Sequence, residues 1–123
     1  MNISVKPWTK KYSPKKILAI RLHAMGDVLV TLPYLQYLLR SLPSSTKLDF
    51  LTTEETAGIP KNIILFNKVY SLRGGWSLKK QLFYLFLLLP KLLLQKYDVI
   101  IDLQNNIISK IVRKIVMPKA WSA

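Results

Sequence analysis

At 123 residues with 50% apolar composition, the chain is the size of one domain and can bury a real core. It has no cysteine and one histidine, His23, which excludes a disulfide framework, a thiolate metal site and most histidine-cluster chemistry. Nineteen Lys and Arg against six Asp and Glu, a formal charge of +13, predict attraction to an anionic partner such as phosphates, nucleic acid or an acidic membrane surface.

Residues 1–14 (MNISVKPWTKKYSP) read as a basic, loosely attached lead-in with Pro7 and Pro14. They lack the apolar core of a secretory signal, so the expected location is cytoplasmic. From Lys15 the pattern changes. Ile17, Leu18, Ala19, Ile20 and Leu22 form a short apolar run, which predicts a central parallel strand over residues 15–22. His23 to Asp27 are expected to form a loop. Val28, Leu32, Leu35, Leu39 and Leu42 then recur at helical spacing. Pro33 places the start of the regular helix near Thr31, as its cap, or a kink at the proline.

KLDFLT (residues 47–52) predicts a second strand and KVYSL (residues 68–72) a third, with a short helical or irregular piece over residues 54–62 broken by Gly58 and Pro60. Arg73, Gly74 and Gly75 are expected to form a flexible loop. Residues 78–96 (LKKQLFYLFLLLPKLLLQK) are apolar almost all round. The uninterrupted run Leu82–Leu89 is far short of the roughly 20 residues a spanning helix needs, and Pro90 with Lys91 is expected to break it. Two readings remain: a buried crossover helix, or a helix lying in a membrane interface with Lys79, Lys80, Lys91 and Lys96 at headgroup level. YDVIIDL (residues 97–103) predicts a fourth strand. Residues 107–116 predict an amphipathic helix with Ile107, Ile108, Ile111 and Ile115 inward and Lys110, Arg113 and Lys114 outward. The alternation of strands and helices predicts an α/β fold, a Rossmann-like parallel sheet with helices on both faces over residues 15–123.

In such sheets ligands bind beyond the carboxyl ends of the strands. Two loops meet there, one with His23, Gly26 and Asp27, the other with Asp102, Gln104, Asn105 and Asn106; Arg73 ends a third strand at the same edge. There is no GxGxxG, no GxxxxGK[ST] and no clustered metal-ligand motif. Asp27 can act as a base toward a hydroxyl, or simply cap a helix. Asp102 can be a satisfied carboxylate bonded to loop backbone. Gln104, Asn105 and Asn106 can bind a hydroxyl-rich ligand or only build a turn. His23 is a loop hydrogen-bonder or a catalyst. Arg73 is a phosphate clamp or a solvated surface residue.

RLHAMGDVLVTLP resembles the amino-terminal signature of the ADP-heptose:lipopolysaccharide heptosyltransferases, glycosyltransferase family nine. That signature is a strand, a basic residue, small residues, Gly-Asp, an apolar pair and Thr-x-Pro. YDVIIDLQNNIISKIVRKI resembles the family's second block, and PKAWS its continuation, so the similarity covers roughly residues 15–122. The resemblance implies the amino-terminal half of a GT-B architecture, which takes the lipopolysaccharide-core acceptor. The reaction it implies is inverting and metal-independent, with Asp27 as general base beside Gly26. Acceptor contacts would come from Gly26, His23, Arg73, Gln104, Asn105 and Asn106. His23 stands where the family has a small residue, Asn105 where it often has glycine, and Gly74 and Gly75 where arginines are frequent. No cofactor is implied beyond the nucleotide-sugar donor of the full-length enzyme. The ADP-sugar would be held by a carboxy-terminal domain that nothing here resembles, so the chain alone is expected to be an inactive fragment. The resemblance also implies an anionic inner-membrane surface as partner, a cytoplasmic location peripheral to that membrane, and no specific nucleic acid. The competing expectations are a basic nucleic-acid-binding module and a membrane-peripheral module without catalysis.

Overall fold

The structure, a computed structural model, describes residues 5–6, 14–22, 25–74 and 77–122; at 5–6, 25–27 and 59 it describes the backbone alone. The strands are β1 (Val5–Lys6), β2 (Lys16–Ile20), β3 (Lys47–Thr53), β4 (Lys68–Leu72), β5 (Val99–Asp102) and β6 (Ala120–Ser122). The helices are α1 (Met25–Arg40), α2 (Gly58–Lys61), α3 (Leu78–Gln95) and α4 (Ile107–Val116), with a 3₁₀ turn at Glu54–Thr56. The sheet order is β1-β6-β5-β2-β3-β4. Strands β2 to β6 are parallel, and β1 closes one edge antiparallel to β6. The result is the predicted Rossmann-like α/β sheet.

β2 is central because its residues are apolar on both sides. Ile17 and Ala19 join Val28, Leu35 and Phe50 under α1. Leu18 and Ile20 join Leu85, Leu92, Ile108 and Val112 under α3 and α4. The chain leaves β2 through β3 and β4, then crosses to β5 on the other side of β2, with its helices now on the opposite face. That reversal makes β2–β5 the switch point of the sheet. Phe50 and Phe66 stack with centroids 4.7 Å apart.

Several boundaries differ from expectation. α1 begins at Met25, so Gly26 and Asp27 lie in its first turn and not in a loop. Thr31 is no cap; its hydroxyl donates to the Val28 carbonyl at 2.7 Å. Helix α1 continues through Pro33, and α3 through Pro90. Both prolines are on the solvent side, where water can serve the carbonyl each leaves without an N–H. Gly74 is no loose hinge: its φ is +112°, and a Cβ there would lie 2.6 Å from the Gln81 nitrogen. Gly75 lies outside the described residues. The lead-in supplies β1, and residues 120–122, expected only as a chain end, supply β6; both are short strands made by pairing and not by propensity.

At the amino-terminal edge of the sheet, Asp49 is buried with no cation paired to it among the described residues. It accepts hydrogen bonds from the Tyr97 hydroxyl and, at 3.0 Å, from the Lys68 N–H. The Tyr97 hydroxyl also lies 3.3 Å from that of Tyr70. Burial, and then the bond to Asp49, hold the Tyr97 hydroxyl far above its ordinary value of 10.0. The unfolded chain therefore gives up this proton near pH 10 while the folded chain keeps it. The stabilisation is complete below about pH 10 and is lost above it, by about 1.4 kcal/mol per pH unit for one group. Urea unfolding between about pH 9 and 11 should show this decline, and Tyr97→Phe should flatten it by one proton. At neutral pH the same substitution should cost about 1–3 kcal/mol, because Asp49 loses a donor.

Candidate functional site

The carboxyl edge is assembled around the backbone of Leu22, the extension of β2. Its N–H donates to Gln104 Oε1 at 3.0 Å. Its carbonyl accepts from the Thr53 N–H at 3.2 Å and the Thr56 hydroxyl at 3.1 Å, and also from the Thr53 hydroxyl. The segment leading to Gly26 and Asp27 is thus held at its root on both sides. The Leu103 N–H donates to the Ile20 carbonyl at 3.0 Å, and an Arg21 guanidinium N–H donates to the Leu103 carbonyl.

Asp102 organises the second loop. Its side chain is fully buried. Oδ1 accepts from the N–H groups of Gln104 at 3.0 Å and Asn105 at 2.6 Å. Oδ2 lies 3.0 Å from Arg113 Nε. The Arg113 guanidinium rests over the Trp121 ring at 4.2 Å and reaches Asn105 Oδ1 at 3.4 Å. Arg113 was expected to point outward. It turns inward because a buried carboxylate needs a cation, while Ile107 and Ile115, expected inward, are exposed. Asp102 is therefore the satisfied carboxylate of the two readings.

Gln104, Asn105 and Asn106 follow β5 beside the end of the β2 extension, where the Gln104 side-chain oxygen is used on Leu22. Asn105 has a left-handed φ of 48° and is exposed. Asn106 caps α4: its side chain accepts from the Ser109 N–H at 3.0 Å, and the Ser109 hydroxyl accepts from the Asn106 N–H at 2.9 Å. Arg73 ends β4, two strands away from β2, and stands exposed 4.0 Å from Glu54, a contact of little energetic weight. His23 lies outside the described residues. Among the described residues no group of His, Cys, Asp and Glu could hold a metal ion.

Two concavities are formed among the described residues. A groove of about 860 Å³ runs between α1 and residues 62–65 and is lined mainly by Leu29, Leu32, Leu39 and Ile63 to Leu65. It offers no group for catalysis. A hollow of about 450 Å³ is lined by Lys110, Arg113, Lys114, Met117, Pro118 and Trp121. Arg21, Thr53, Thr56 and Trp121 escaped sequence reasoning. The run TTEET, which spans the end of β3 and the turn after it, was the one available signal, since clustered hydroxyls at a strand end seek backbone carbonyls.

A solved glycosyltransferase of family 9 from Veillonella parvula DSM 2008 matches 85% of this chain with a TM-score of 0.76 at 17% identity. The chain has the fold of part of a family 9 glycosyltransferase. E. coli heptosyltransferase WaaC, solved with ADP-2-deoxy-2-fluoro heptose, matches 79% of the chain at TM-score 0.64 and 25% identity. WaaC solved with ADP matches 82% at TM-score 0.64 and 24% identity. The glycosyltransferase-like chain spans 30%, 32% and 33% of those three structures. No family model and no curated protein matches the sequence.

Removing Arg113 strands a buried carboxylate. Arg113→Ala should cost about 3–5 kcal/mol in urea unfolding. Asn106→Ala, which removes only a cap, should cost about 1 kcal/mol.

Proposed function

We propose that this chain supplies the acceptor side of an inverting glycosyltransferase that moves heptose from ADP-heptose to the inner core of lipopolysaccharide. The observation that carries the reading is the match of most of the chain to WaaC, a heptosyltransferase solved with ADP and with ADP-2-deoxy-2-fluoro heptose. The placement of Gly26 and Asp27 supports it. They follow the switch-point strand and open α1, at the sheet edge where α/β folds bind ligands.

On this reading the Asp27 carboxylate takes the proton from an acceptor hydroxyl. The hydroxyl oxygen then attacks the anomeric carbon of the donor sugar. The bond from that carbon to the diphosphate breaks, its electron pair leaves with ADP, and the configuration inverts. Gln104 and Asn105 hydrogen-bond acceptor hydroxyls, and Arg73 meets acceptor phosphate. The donor needs a second α/β domain, on the same polypeptide or a separate one, because catalysis requires both reactants in line.

The test is transfer from ADP-heptose to heptose-deficient lipopolysaccharide by a two-domain protein joining this chain to the ADP-binding domain of a family nine enzyme. The joined protein should turn over and the 123 residues alone should not. Asp27→Ala should lower kcat by about 10²–10⁴-fold with KM for the donor unchanged. Undiminished kcat in that variant would remove Asp27 from the mechanism.

A further inference from the structure

Lys110, Arg113, Lys114 and Met117 recur at steps of three and four, which sets them on one face of α4 and its cap. With Pro118 and Trp121 they line the hollow of about 450 Å³. Small-molecule sites span roughly 300–1,000 Å³, so the hollow is large enough to be one.

Its lining has two kinds of chemistry. Met117, Pro118 and Trp121 give it an apolar, partly aromatic wall. Lys110 and Lys114 stand exposed, one turn apart, and among the described residues neither forms an ion pair. Residues 103–123 contain no Asp or Glu. Arg113 is already fixed: Asp102 Oδ2 lies 3.0 Å from its Nε, and its guanidinium rests 4.2 Å from the centre of the Trp121 ring. A ligand meets that arginine without having to order it, which lowers the cost of binding. Asp102 answers the charge of Arg113 and leaves the two lysine ammoniums for the charge of the ligand.

The same lining selects among anions. A bare phosphate gains nothing from the apolar wall. A sugar phosphate brings hydroxyl donors, and the lining side chains hold no oxygen to accept from them. A nucleotide brings a flat ring for the wall. Two linked phosphates suit lysines about 6 Å apart along the helix axis. Lys and Arg donors match a base edge with two acceptors, as in O6 and N7 of guanine, better than the edge of adenine, which carries an amino donor.

We propose that this hollow binds a nucleoside diphosphate with an acceptor-rich base, guanosine diphosphate being the type case. The base rests against Trp121, Met117 and Pro118, and the phosphates meet Lys110 and Lys114. The site uses none of the residues assigned to acceptor binding and does not depend on the transferase reading.

The chain has three tryptophans, Trp8, Trp76 and Trp121. Trp8→Phe with Trp76→Phe leaves Trp121 as the reporter in the full chain. Guanosine diphosphate should quench its fluorescence along a saturating curve. Adenosine diphosphate, guanosine and inorganic pyrophosphate should each need about tenfold more, or higher still, to displace it. Lys110→Ala with Lys114→Ala, both at exposed positions, should weaken its binding about tenfold or more with an unchanged circular dichroism spectrum. Absence of saturable quenching overturns the proposal. So does quenching that ignores the loss of both lysines. Displacement by pyrophosphate or adenosine diphosphate as readily as by guanosine diphosphate itself overturns it too, since the hollow then takes any anion or any nucleotide. Displacement by single-stranded RNA at lower nucleotide concentration overturns it in favour of a nucleic-acid surface.

Discussion

The pairing of β2 with β5 is the constraint on which the carboxyl edge depends. Ile17 to Ile20 pair in register with Val99 to Asp102, and the contact continues past both strands through the bond from Leu22 to Gln104. That continuation ties the two loops at this edge to one another. It fixes the point from which the chain departs toward α1, and it sets the loop of residues 103–106 directly beside that point. Asp102 does the same for the other half. One carboxylate holds two loop N–H groups and the arginine that ties α4 and Trp121 back to β5. A buried carboxylate bound in this way cannot also serve as a free base.

The two edges of the sheet are organised differently. At the amino-terminal edge Asp49 is sealed by Tyr97, with Tyr70 beside it, and Asp98 accepts from the N–H groups of Lys15 and Lys16. The bond between Tyr97 and Asp49 is buried, and a polar group shut off from water needs such a partner. At the carboxyl edge Asn105 and Arg73 face solvent and Gln104 retains its amide donors. The helices on the α3 side add a third region, basic and apolar. The whole chain's charge of +13 is of the sign that attracts anionic partners.

Much of the architecture was legible because apolar periodicity records which faces are buried. β4 and α4 were predicted at their observed bounds, since KVYSL and IISKIVRKIV carry clear patterns with turn residues at their ends. The failures have physical causes. Arg113 was assigned to solvent because periodicity sees its charge but not the reach of its side chain toward Asp102. Pro33 and Pro90 suggested boundaries, yet a proline on a helix's wet side removes one bond without ending the helix. β1 and β6 were invisible, because strands of two and three residues exist only through their partners. Asp49, a carboxylate inside an otherwise apolar strand, was a visible anomaly that asked for a buried donor. Of the candidate residues, Asp27, Gln104, Asn105 and Asn106 lie at the carboxyl edge, where topology alone had put them. The threonines holding Leu22 were not foreseen, because their role depends on a carbonyl thirty residues earlier.

The central claim is that an acceptor binds at the β2–β5 switch point of this chain. The most direct measurement is amide chemical-shift mapping of the isotope-labelled chain titrated with heptose-deficient lipopolysaccharide core oligosaccharide freed of lipid. The account predicts shifts that saturate at Leu22, Gly26, Asp27 and Gln104 to Asn106, with Asp49 and Tyr97 at the opposite edge unmoved. Saturating shifts confined to that opposite edge or to the groove along α1, or no shifts at all, would contradict it.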